Sequence, residues 1–161
     1  MKKEMLKKFT MLVLLATLTL ATAAVSVNAQ ATANKLVANV PFEFSVGYKA
    51  MPAGEYSVQT IASAGNGLLI QSTDGKISAL RLSDATERIK DKSHPRLVFH
   101  RYGERYFLAE VWNGVDNTGR RLSTSQEEKA IESELTLASA RQNAHAPGAI
   151  YEIVEVLAVL R

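Results

Sequence analysis

The chain has 161 residues, 19 of them basic and 16 acidic, for a formal net charge of +3, and it contains no cysteine. The missing thiols exclude a disulfide-stapled scaffold, a cysteine nucleophile and a lipid-anchored lipoprotein, so stability must come from a packed core. The basic excess is confined to the N-terminus: residues 1–29 hold four of the basic residues and one of the acidic, which leaves 15 of each beyond them. The footprint of a nucleic-acid binder, a basic patch on the folded domain, is therefore not expected.

Lys2, Lys3, Lys7 and Lys8 precede an uncharged run from Phe9 to Val25, which closes on Val27-Asn28-Ala29. A positive segment, an apolar segment and a small-x-small exit are the parts of a cleavable secretory signal in the right order. The run is 17 residues long and holds several threonines, short of the ~20 apolar residues that a membrane span needs. The reading is a signal peptide over 1–29, a flexible lead-in over 30–38 and a single β-rich domain over 39–161. The product is expected to be exported to the periplasm or the medium, with no membrane span after cleavage.

Val40, Phe42, Phe44 and Val46 alternate with Pro41, Glu43 and Ser45, the period-two pattern of a strand with one buried face. Pro52-Ala53-Gly54 predicts a turn, and Tyr56, Val58 and Thr60 resume the alternation. After a second turn at Ser63–Gly67, Asp74-Gly75 is a strong hairpin signal. It pairs Ser72 with Ile77, Ile70 with Ala79 and Leu68 with Arg81, and leaves Leu69 and Leu80 on the other face. Ser83–Pro95 is charged and reads as a solvated loop or short helical turn.

Arg96–Trp112 reads as a hairpin around Gly103-Glu104, apolar on both faces near its base and so central in the fold. The register pairs Arg101 with Tyr106, Phe99 with Leu108 and Leu97 with Glu110, and on the other face His100 with Phe107 and Val98 with Ala109. Asn113–Arg121 reads as a loop. Ser125-Gln126-Glu127-Glu128 fits a capping box that opens a helix over about 125–140, with Ile131, Leu135 and Ala138 as a narrow core-facing stripe. A last strand, Tyr151–Leu160, is nearly continuously apolar and is expected to be buried on both faces. The sum is a mainly β chain of about seven strands, an antiparallel sandwich or a partly open barrel, with one helix over a face or end.

Chemistry-bearing residues are few. His94, His100 and His145 share no metal-ligand spacing, no serine sits in a G-x-S-x-G elbow, and Gly65-Asn66-Gly67 lacks the lysine of a phosphate loop. No metal or cofactor is expected. His100 could pair with Glu110 or Asp116 as acid and base in a small hydrolase or isomerase. A barrel could instead carry a small apolar ligand. The strongest grouping is Arg101, Tyr102, Arg105, Tyr106 and Trp112. It reads as a stacking and hydrogen-bonding patch at a hairpin tip, suited to cell-envelope glycan or protein. The competing reading is ordinary cross-strand packing, with arginine stems over aromatic faces.

Val40-Pro41-Phe42-Glu43-Phe44-Ser45-Val46-Gly47 followed by Pro52-Ala53-Gly54-Glu55-Tyr56 resembles a group of small uncharacterised exported proteins of soil bacteria. Leu97–Gly103 with Tyr106-Phe107-Leu108, Trp112 and Gly119-Arg120 is similar to a second signature of that group. Met51 stands where leucine is expected, a volume-conserving change. The resemblance implies export and one shared domain, and brings no activity or site residue with it. The favoured reading is a non-enzymatic binding or structural module.

Overall fold

A computed structural model describes residues 35–61, 66–87, 94–115, 118–141 and 150–161. The signal-peptide reading, Asp116 and His145 lie outside the described residues. Within them the elements are β1 (Leu36–Val40), β2 (Phe44–Val46), β3 (Lys49–Met51), β4 (Gly54–Ile61), β5 (Gly67–Ser72), β6 (Ser78–Glu87), β7 (Arg96–Tyr102), β8 (Arg105–Trp112), β9 (Thr118–Leu122), α1 (Gln126–Arg141) and β10 (Glu152–Leu160).

Eight strands close on themselves in the order β8-β7-β10-β1-β4-β5-β6-β9, with β9 returning to β8. Every neighbour in this ring is antiparallel. The mainly β expectation holds. Of the two arrangements expected the barrel is the one formed, and it is closed rather than partly open: eight strands join in a ring, with backbone edges left only where the β2–β3 ribbon and the first half of β6 lie beside it. β2 and β3 form a short antiparallel ribbon that joins β8 through one parallel bridge, Ser45 to Phe107.

Alternation decides what lies inside. Leu36, Ala38 and Val40 of β1, Tyr56 and Val58 of β4, Leu68 and Ile70 of β5, and Leu97 and Phe99 of β7 make one buried cluster. Each large side chain so buried contributes about 1.5–3 kcal/mol. The strand expected from Val40 to Val46 is broken into two at Pro41-Phe42-Glu43, because proline has no amide to extend the β1 ladder. The side-chain parity survives the break. Phe44 meets Tyr56 and Phe99 edge-on at 5.1 and 5.3 Å, and Phe42 stacks on Tyr106 at 3.9 Å. The ribbon thus sends its aromatic side into the barrel.

The β5–β6 hairpin has the register read from Asp74-Gly75, with Leu68 opposite Arg81, Leu69 opposite Leu80 and Ile70 opposite Ala79. Gly75 takes a left-handed φ of 73°, which glycine adopts without steric cost. Beyond Leu82 the expected loop is instead strand: β6 runs on to Glu87 and pairs with β9, itself placed in the expected loop 113–121. Neither segment carries an apolar alternation of its own. They are strands because each is the other's backbone partner, and Gly119 makes their approach to β8 possible. A Cβ at Gly119 would stand 2.7 Å from the Trp112 ring.

The β7–β8 hairpin follows the expected register from the tip as far as Phe99–Leu108. A bulge between Val98 and Phe99 then shifts it, so Val98 faces Glu110 and Leu97 faces Val111 rather than Ala109 and Glu110. One extra residue, Ala109, is accommodated, which returns Val111 to the core side.

The helix forms where expected, but it is not a core element. Ile131 is half-buried, while Leu135 and Ala138 of the expected stripe are exposed. Its first turn is tied to the barrel wall by Glu127 to Arg105 and Glu128 to His100. β10 likewise departs from expectation. Val154, Val156, Ala158 and Leu160 pack on the core, whereas Ile153, Leu157 and Val159 point outward, Leu157 at 71% and Val159 at 61% exposure.

Candidate functional site

The hairpin tip brings four of the five patch residues near one another and then sorts them by strand parity. Arg101 and Tyr106 are cross-strand partners. Tyr106 turns inward against Phe42, while the Arg101 guanidinium stays at the rim, 5.5 Å from the Tyr106 ring. Its Nε donates to Gly103 O at 2.7 Å and its Nη1 to Glu152 at 3.1 Å. Tyr102 is on the opposite, outer face, buried and edge-on to Phe107. Arg105 lies over Phe107 at 5.5 Å and is ion-paired with Glu127 of the helix. Both tip arginines therefore cover aromatic rings and already hold carboxylates.

Trp112 does not join this group. It sits at the far end of β8 opposite Arg96, buried, with its indole N–H donating to Glu110 Oε2 at 3.0 Å. Arg96 is buried beside it, its guanidinium 5.5 Å from the indole. The Arg96 Nη1 donates to His94 O. Its Nε stands 3.4 Å from Glu155 without hydrogen-bond geometry, and its Nη2 has no hydrogen-bond partner among the described residues.

The outer wall of β7 carries a cluster that sequence reasoning had only in part. His100 donates from Nδ1 to Glu128 Oε1 at 2.8 Å, and its ring stacks on Tyr151 at 4.0 Å. The Tyr102 hydroxyl donates to the same oxygen at 3.4 Å. Burial, together with the negative charges of Glu128 and Glu132, pushes the Tyr102 phenol well above its ordinary pKa, so it stays a neutral donor. Glu128 is only 5% exposed.

Of the two expected acid partners of His100, Glu110 is replaced by Glu128. Glu110 is engaged by Trp112 and by Arg121 at 2.9 Å, and Asp116 is outside the described residues. The capping box is half formed. Ser125 Oγ accepts from the Glu128 amide at 3.0 Å, but the Glu128 carboxylate turns to His100 and Tyr102 instead of reaching back. No local signal distinguishes the two fates of that carboxylate, because the competing partner is 28 residues away.

An imidazole oriented by a carboxylate through Nδ1 is the base half of a triad. The other half is missing among the described residues, where no hydroxyl is hydrogen-bonded to His100. What the cluster does hold together is the helix root and the wall. Among the described residues no three His, Cys, Asp or Glu side chains are grouped to hold a metal ion, and no helix is long and apolar enough to cross a membrane. No family model matches the chain, and neither a curated protein nor a solved structure is significantly similar to it.

Proposed function

We propose that the chain, released from residues 1–29, works outside the cytoplasm as a non-catalytic binding or structural module that acts through its outer surface. The observation that supports this reading is the filled interior. Phe44, Tyr56 and Phe99 are nearly inaccessible to solvent and meet edge-on across the barrel, in the space where a carrier would hold an apolar ligand of a few hundred Å³. The aromatic and most of the large aliphatic side chains of the core point into the barrel, although β10 and β6 also show apolar residues outward. A membrane barrel turns its apolar side chains to lipid and keeps polar groups within.

The partner class is an envelope protein or cell-wall glycan. Purified residues 30–161 should co-sediment saturably with isolated cell envelopes and should not take up an apolar fluorophore in equimolar amount. Stoichiometric uptake, or no saturable envelope binding, would overturn the proposal.

A second reading, a small hydrolase or isomerase, has the His100–Glu128 contact in its favour. It requires that His100→Gln abolish a turnover measured on the purified chain. On the binding reading the same variant leaves envelope association within twofold of the parent.

A further inference from the structure

β6 is paired in two halves. β5 covers Ser78–Leu82 and β9 covers Ser83–Glu87. Ser72 N–H donates to Ile77 O and Ser83 N–H donates to Asn66 O, so the odd-numbered residues of β6 turn their peptide groups toward β5. Ser78 and Leu80 turn theirs the other way. On that side β9 has not yet begun, and no ladder partner is present among the described residues.

The strand across from them is β3, which among the described residues pairs with β2 alone. Two free backbone edges therefore face one another across a seam in the wall. What spans the seam is a side chain: Lys49 Nζ donates to Ser78 O at 2.6 Å. An open groove of about 600 Å³ follows the seam, with Tyr48, Lys49 and Ala50 on one bank and Ser78, Leu80 and Arg81 on the other.

The chemistry of the banks is specific. Leu80 points outward and is 58% exposed, and Tyr48 is 88% exposed. Arg81, of opposite parity, turns inward, where its guanidinium lies against Gly47 and 5.8 Å from the Tyr48 ring. No carboxylate pairs with Arg81 among the described residues. The seam thus offers backbone hydrogen bonds, an apolar outer side and a cation on the inner side. Lys49 would be released as a second cation once a strand amide takes Ser78 O.

We propose that this seam receives an extended segment of a partner polypeptide, added as a strand between β3 and β6, whose side chains alternate between carboxylate and apolar. Strand addition draws affinity from main-chain hydrogen bonds and specificity from alternate side chains. Here the carboxylates meet Arg81 and the apolar residues lie beside Leu80. The inference rests on the binding-module reading and names the partner for it.

The test uses purified residues 30–161 and a fluorescein-labelled Glu-Val alternating octapeptide, read by anisotropy and by amide hydrogen exchange. Binding should be saturable, about tenfold weaker for the Lys-Val counterpart and about tenfold weaker in Leu80→Asp. A peptide with N-methylated backbone amides should not bind. In the parent chain, peptide should slow exchange of the Leu80 amide about tenfold and leave that of Phe99 unchanged. This wild-type readout does not depend on any variant folding. Absence of binding, or binding that leaves Leu80 exchange untouched, would overturn the seam proposal. If envelopes still bind the chain in that case, the broader function stands without it. Peptide binding with no envelope binding would support the seam and remove the envelope as the site of action.

Discussion

Between β8 and β6 the barrel wall is completed in two different ways. In one half β9 is hydrogen-bonded to both neighbours, Glu110–Trp112 on one side and Ser83–Glu87 on the other. In the other half, among the described residues, the β2–β3 ribbon is bridged to β8 at one residue pair and has no ladder with β6. The first half is held by backbone and asks of its side chains mainly that they leave room. The second is held by side chains, with Phe44, Val46 and Met51 buried to 2% exposure or less. A chain can therefore close a barrel with a polar, low-propensity segment such as β9, provided a ladder exists. Where no ladder exists it needs aromatic anchors.

This contrast predicts opposite sensitivities. The largest effect should come from Phe44→Ala, which removes a ring packed on both Tyr56 and Phe99. It should cost about 3–5 kcal/mol of unfolding free energy in urea denaturation, and a loss below about 1 kcal/mol would show that the ribbon is dispensable. In the ladder half the harmful change runs the other way. Gly119→Val places branched carbon inside the contact distance of Trp112 and should cost about 1–3 kcal/mol, with a blue- or red-shifted indole emission as the local report.

Tyr56→Phe tests the link between ribbon and β4. Its hydroxyl donates to Pro52 O at 2.6 Å, so its removal should cost about 1 kcal/mol while leaving the ring packing intact. Leu157→Ser, on the exposed side of β10, should change stability by no more than about 0.5 kcal/mol. A larger loss in the dilute monomer would show that this face is covered in solution.

The smallest effect concerns the turn from which the seam side of β6 starts. The Ser72 hydroxyl, the Lys76 amide and the Lys76 ammonium hold the Asp74 carboxyl down at about 2. A folded pKa below the unfolded value of about 3.9 contributes stability above that value, and the contribution is lost as pH falls through 2. The Asp74→Asn variant should therefore be slightly less stable than the parent at pH 6, and the difference should vanish near pH 2. A gap that persists there would assign the effect to turn conformation instead of charge.

Much of the fold was legible in local chemistry. Asp74-Gly75 and Gly103-Glu104 set two hairpins whose registers follow from turn length, and Ser125 with two acidic residues after it marks the helix start. The bulge at Ala109 was not legible, since nothing in Val98-Phe99 or Leu108-Ala109 signals an extra residue. The patch at the tip was legible as a neighbourhood and not as a surface. Parity sends Tyr106 inward and Tyr102 outward, and Trp112 belongs to the other end of the strand. His100 stands out by its chemistry, but its acid partner Glu128 carries in the sequence only the mark of a capping residue.

Sequence by itself determined the period-two strands, the hairpin turns at Asp74-Gly75 and Gly103-Glu104, the helix span and the apolar content of the core, because each is decided by residues within one or two turns of one another. The tertiary structure alone decided that β6 and β9 are strands along their charged lengths, because each lends the other the backbone partner its own side chains do not call for. It also decided that β10 shows one apolar face to solvent, that Glu128 serves His100, and that β3 and β6 end as facing edges. All of these depend on segments tens of residues apart, and a hydrogen-bond ladder leaves no mark on the sequence of a strand that supplies only its backbone.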